Sequence, residues 1–116
     1  MGKVTRFKYS VAELRGTTKT ITGNTTLTAA NILTDGYSFI KVSGAVTLTL
    51  PAAASSLTGV MLIIFCNNAS GKVAVVAGFG GGGGSYDTVT PGAYCAIRAW
   101  CDGSYWYAMS EAVGAS

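Results

Sequence analysis

The chain has 116 residues, 49% of them hydrophobic and only 11% charged, with a formal net charge of +3 and no histidine. That length holds one domain and no independent second core, and the lack of histidine removes the commonest general base together with a common metal ligand. A charged fraction less than half of the ~25% usual in soluble domains leaves much of the surface neutral, which predicts that a second copy or a larger assembly covers part of it.

Residues 1–20 read as a basic N-terminal arm. Lys3, Arg6, Lys8, Arg15 and Lys19 are five of the eight basic residues, and no regular apolar period accompanies them. Such an arm suits an acidic protein surface better than a phosphate backbone, because only Phe7 and Tyr9 interleave aromatic rings with the charges. Ser10 and Glu13 have capping-box spacing, which predicts one helical turn over 10–15. The start MGKVTRFKYS has no apolar stretch after its charges. The expectation is a chain without a secretory leader, made in a reducing cytoplasm with its thiols free.

From Ile21 the chain turns Thr-rich and alternating, and 21–110 is expected to form one β-domain. Tyr37 to Val42 and Ala45 to Leu50 read as a hairpin closed by Ser43-Gly44, with Val46, Leu48 and Leu50 on one face and Pro51 ending the strand. Gly59 to Cys66 is continuously apolar, so both its faces are expected to be covered. Its longest apolar run, Val60 to Cys66, is too short to span a bilayer, and no membrane association is expected. Asn67-Asn68-Ala69-Ser70-Gly71 reads as a loop, and Lys72 to Ala77 as the returning partner strand.

Gly80 to Gly84 is a run of five glycines. No lysine and hydroxyl residue follow at a helix start, so nucleotide binding is not expected, and no other cofactor is. A loop without side chains lets another backbone approach closely, which marks Phe79, Gly80, Gly82 and Gly84 as a candidate oligomer or partner contact. Tyr86 to Thr90, Ala93 to Trp100 and Ser104 to Ala108 read as three further strands, the last two joined by a tight turn at Asp102-Gly103. Along the final strand Tyr105 and Tyr107 should share one face and Trp106 the other; Trp106 joins the candidate contacts. The small, polar 111–116 should fray as a tail.

Seven or eight short strands without a long helix predict an all-β fold, an antiparallel β-sandwich or barrel-like domain with an extended N-terminal arm. Glu13, Asp35, Asp87, Asp102 and Glu111 show no paired spacing, and turn geometry accounts for Asp35 and Asp102 beside glycine. Cys66, Cys95 and Cys101 form no CxxC pair and fall short of a four-ligand zinc site. No catalytic centre, metal site or enzymatic activity is therefore expected.

In order and spacing, Val46-Thr47-Leu48-Thr49-Leu50-Pro51-Ala52-Ala53, Gly59 with Met61 to Phe65, Asn67 to Gly71 and Asp102-Gly103-Ser104-Tyr105-Trp106-Tyr107 resemble a β-module of bacteriophage tail fibres, spikes and head-associated proteins. The likeness covers a little over half of the chain, which departs from the pattern in its short basic arm and its glycine run. It implies a non-enzymatic virion component, assembled in the host cytoplasm and most like a capsid decoration (cement) protein. Such a protein would form a homotrimer and bind the major capsid protein, with Lys3, Arg6, Phe7, Lys8, Tyr9 and Arg15 as the docking arm. A receptor- or glycan-binding module using Tyr94, Trp100 or Trp106 is the alternative.

Overall fold

The computed structural model describes residues 16–71, 73–80 and 86–110. Nine strands make up the described body: β1 (Thr17–Ile21), β2 (Thr25–Thr26), β3 (Tyr37–Val42), β4 (Val46–Thr49), β5 (Met61–Cys66), β6 (Val73–Gly78), β7 (Tyr86–Val89), β8 (Ala96–Cys101) and β9 (Trp106–Ser110). They form a five-stranded sheet ordered β1-β3-β5-β8-β9 and a four-stranded sheet ordered β2-β4-β6-β7.

The expected β character is present, but the pairing is only partly antiparallel. From β1 to β6 successive strands alternate between the two sheets, and each of β1 to β4 pairs in parallel with the strand two steps on in its own sheet. The chain thus winds as three coils of roughly two dozen residues, within the size range of stacked repeats. Ile21 lies beside Val42 and Val42 beside Cys66 on one sheet, while Thr25, Leu48 and Val75 line up on the other.

Two expected pairings are therefore corrected. β3 and β4 do not form a hairpin, because Ser43 and Gly44 carry the chain from one sheet to the other, with Gly44 at φ +89°. β6 likewise pairs with β4 and β7, not with β5. The alternation of each strand was legible, but alternation is common to parallel and antiparallel neighbours and does not select between them.

Antiparallel pairing does close the stack. β6 pairs with β7 on one sheet, and β5, β8 and β9 follow one another antiparallel on the other. The β8–β9 turn lies at the expected place but is longer than Asp102-Gly103 alone: residues 102–105 connect the strands, and Ser104 and Tyr105 belong to the turn and not to β9. Asp102 Oδ1 accepts from the Ser104 and Tyr105 amides, both at 2.8 Å, and Gly103 takes φ +98°, a conformation open to a residue without Cβ. An isolated bridge between Phe79 and Trp106 ties the two sheets together at this end.

Inward side chains from both sheets merge into one core that includes Ile40, Val42, Leu48, Leu62, Ile64, Val75, Ile97 and Trp106. Each such side chain contributes about 1.5–3 kcal/mol by leaving water. One short helix, α1 (Ala29–Leu33), spans the first coil. Thr28 Oγ1 accepts from the Asn31 amide while Asn31 Oδ1 accepts from the Thr28 amide, and Ile32 turns into the core.

At the N-terminal side, residues 17–20, grouped with the arm from sequence, form most of β1. The remaining arm and its expected helical turn over 10–15 lie outside the described residues, as do the tail 111–116 and residues 81–85 of the glycine run. Among the described residues no helix is long and apolar enough to cross a membrane.

Candidate interaction surface

The outer face of the five-stranded sheet is where the fold departs most from its expected burial. β5 was expected to be covered on both sides. Instead Leu62, Ile64 and Cys66 are fully buried while Met61 is 45% and Ile63 37% exposed. Each parity of the strand sees a different environment, since β5 is central in its sheet but the sheet is packed on one side only.

Registers across the sheet place the outward side chains in three rows. Lys41, Phe65 and Ala96 are neighbours in the first; Phe39, Ile63, Arg98 and Met109 in the second; Met61, Trp100 and Tyr107 in the third. Trp100 and Tyr107 pack ring against ring, with centroids 5.9 Å apart and planes tilted by 35°. Trp100, Tyr107 and Met109 are all more than one-third exposed. These three rows form a largely apolar surface, with Lys41 in the first row and Arg98 between Ile63 and Met109 in the second.

At the opposite end stands Asp102. Its Oδ2 accepts from the Tyr107 hydroxyl at 3.0 Å. The backbone amides of Tyr105 and Ser104 and then this hydroxyl hold the carboxyl below its ordinary pKa of 3.8, because each donor favours the ionised form. In turn, the hydrogen bond to Asp102 raises the Tyr107 phenol above its ordinary 10.0. Gly80 lies close by, and a Cβ there would come within 2.6 Å of Tyr107 Cε1, so this first glycine of the run makes room for the tyrosine ring.

The four-stranded sheet presents a contrasting outer face. Thr26 neighbours Thr49, Thr49 neighbours Val76, and Val76 neighbours Thr88, while Thr47 stands beside Ala74. Among the described side chains, short hydroxylated and small ones cover that sheet. The large apolar groups are concentrated on the other.

Several expected site residues fall elsewhere. Trp106, a candidate partner contact, is instead a core residue with 0% exposure, and its indole N–H donates to the Pro51 carbonyl at 2.7 Å. Phe79 is also buried, at 5% exposure. An inward position in the strand hides the first, and the bridge to β9 hides the second. Tyr105 and Tyr107 do share the exposed side opposite Trp106, as the period of two requires. Lys3, Arg6, Phe7, Lys8, Tyr9, Arg15, Gly82 and Gly84 lie outside the described residues.

Tyr94, 60% exposed, takes φ +52°, in the turn that leads into β8. Next to it, Cys95 lies opposite Cys66, whose amide donates to the Cys95 carbonyl at 2.8 Å. Burial pushes the Cys66 thiol above its ordinary 9.0. All three cysteines are free thiols. Among the described residues no group of three or more His, Cys, Asp or Glu side chains is placed to hold a metal ion. What this surface can do chemically is exclude water against another apolar surface and orient it by charge at two ends. The chain matches no protein-family model, no curated protein and no solved structure.

Proposed function

We propose that this chain is a non-enzymatic structural component of a virion, a head decoration (cement) protein that assembles as a homotrimer and binds the outer capsid surface. The observation that carries the reading is the apolar outer face of the five-stranded sheet, on a chain with 11% charged residues. A neutral, Thr-rich surface with one large apolar face suits a protein whose working state is an assembly. The resemblance of 45–109 to phage virion modules supplies the kind of assembly.

In this reading the body forms the oligomer and the basic arm docks on the shell. The test is made in the full chain with Lys3, Arg6, Lys8 and Arg15 replaced together by Glu. Co-sedimentation with capsids lacking the protein should fall to background while the oligomer mass is unchanged. Undiminished co-sedimentation would overturn the docking role of the arm.

A second reading, a glycan-binding module of a tail fibre or spike, is favoured by the Trp100–Tyr107 pair, whose exposed rings offer a stacking platform. A glycan array on which the wild-type protein binds and Trp100→Ala does not would support it over the first.

A further inference from the structure

We infer that Cys66 and Cys95 form a dithiol site that closes to an intramolecular disulfide when the protein meets a small-molecule disulfide such as oxidised glutathione. The bridge clamps both ends of the excursion that carries β6 and β7.

The chain leaves the five-stranded sheet at Cys66, the last residue of β5, and returns to it in β8 after supplying β6 and β7 to the other sheet. Cys95 is the residue immediately before β8. β5 and β8 pair antiparallel with Phe65 beside Ala96, so the next step of that register sets Cys66 beside Cys95. The bond from the Cys66 amide to the Cys95 carbonyl, at 2.8 Å, carries the ladder through this step. Opposed residues share a face of the sheet, so the Cys95 side chain follows that of Cys66 to the core side. Cys66 is fully buried there, and Cys95, where the ladder ends, is only partly buried.

The spacing suits a bridge. In a hydrogen-bonded antiparallel pair the Cα atoms stand about 5.5 Å apart, inside the range of about 4.4–6.8 Å found for disulfides. The Cβ atoms of opposed residues, about 4.5–5.5 Å apart, must close to about 4 Å. Cys95 has the freedom to do so, because its amide has left the ladder to bond the Gly92 carbonyl at 3.0 Å. Electrostatics reports the same proximity: burial raises the Cys66 thiol and a Cys95 thiolate adds to that rise, against hydrogen bonds from the Tyr94 and Asn68 backbone. Cys101 is excluded by the register. Its amide bonds the Val60 carbonyl at the other end of the β5–β8 ladder, roughly 20 Å from Cys95 along an extended strand.

The exchange balances with one equivalent of oxidant. The Cys95 thiolate attacks one sulfur of glutathione disulfide, whose S–S bond breaks and releases one glutathione thiolate. Deprotonated Cys66 then attacks the Cys95 sulfur of the mixed disulfide, forming the Cys66–Cys95 bond and expelling the second glutathione thiolate. Two protons and two electrons leave the protein, and the oxidant ends as two molecules of reduced glutathione. The pair stays open in a reducing cytoplasm and closes outside one.

The test incubates the full chain with oxidised glutathione at pH 8, blocks the remaining thiols with iodoacetamide in denaturant, and reads intact mass and disulfide-linked peptides by mass spectrometry. The expected product is a single chain with one blocked thiol, Cys101, and with the Cys66 and Cys95 peptides joined. Its thermal midpoint should stand about 10 °C above that of the reduced chain, because the bridge closes a loop of about thirty residues. Cys101→Ser should leave the bridge in place, and Cys95→Ser should abolish it. Three free thiols, a lasting glutathione adduct on Cys95 or a bridge through Cys101 would overturn the site. A Cys66–Cys95 bridge that leaves the midpoint unmoved would overturn the clamp.

Discussion

The Trp106 indole N–H donates to the carbonyl of Pro51 at 2.7 Å, joining the last strand of one sheet to the second residue after β4 in the other. This bond is shielded, because Trp106 is fully buried and also bridges Phe79. Trp106→Phe removes the donor and leaves a proline carbonyl without its partner. It should cost about 1–3 kcal/mol, and Trp106→Ala, which adds a cavity, about 3–5 kcal/mol. Urea denaturation followed by circular dichroism measures both, and the order of the two losses is part of the expectation.

Asp102 and Tyr107 make acid and alkaline behaviour predictable in sign. The folded Asp102 carboxyl titrates below its ordinary value, so its contribution is present above about 3.8 and is lost as pH falls through the lower folded value. Tyr107 titrates above 10.0, so its contribution is present below that pH and is lost as pH rises through the higher folded value. Asp102→Ala should flatten the loss of stability between pH 5 and the acid limit, and should move one tyrosine titration, followed by absorbance near 295 nm, back toward its ordinary range. A tyrosine titration unchanged by Asp102→Ala would contradict the hydrogen bond.

Gly103→Ala should destabilise the β8–β9 turn for two separable reasons. At φ +98° any side chain is strained, and the new Cβ would meet Thr58 Oγ1 at 2.5 Å. A loss above about 1 kcal/mol is expected, since the native conformation is incompatible with Ala. In a Thr58→Ala background the second cause disappears and the first remains, so a double-mutant cycle should recover part of the loss and not all of it.

The cysteines should differ in reactivity. The Cys66 thiol is buried and its pKa is raised, while Cys95 is only partly buried. Because the thiolate is the reacting form, iodoacetamide at pH 8 should modify Cys95 before Cys66 in the folded protein, and mass spectrometry of digested samples reads the order directly. In denaturant the difference should vanish.

Legibility in the sequence followed the range of the interactions involved. The place of the Asp102-Gly103 turn, the Asn67 to Gly71 loop and the opposite facing of Trp106 and Tyr107 are local consequences of turn chemistry and of the two-residue period, and they stand as expected. Parallel coiling was not legible, because Val42 beside Cys66 and Leu48 beside Val75 are pairings between distant residues with no turn residue to announce them. The capping box of α1 was missed because Asn31 occupies the position where the usual pattern has Glu or Gln. Exposure of Ile63 was not legible for a different reason: a continuous apolar run is the normal mark of a strand covered twice, and the run itself does not show that only one of its faces is buried.

The coiled path of β1 to β6 also bears on how the molecule can change in length. Each coil bonds to the coil before it and the coil after it, so a duplicated segment such as 43–66 would find the same parallel neighbours on both sides without altering the antiparallel strands that close the stack. Growth by whole coils would add one more row-crossing strand to the apolar face at each step, and the area available for association would rise in proportion. In such a stack, size is a repeat number, and a taller or shorter relative would need no new topology.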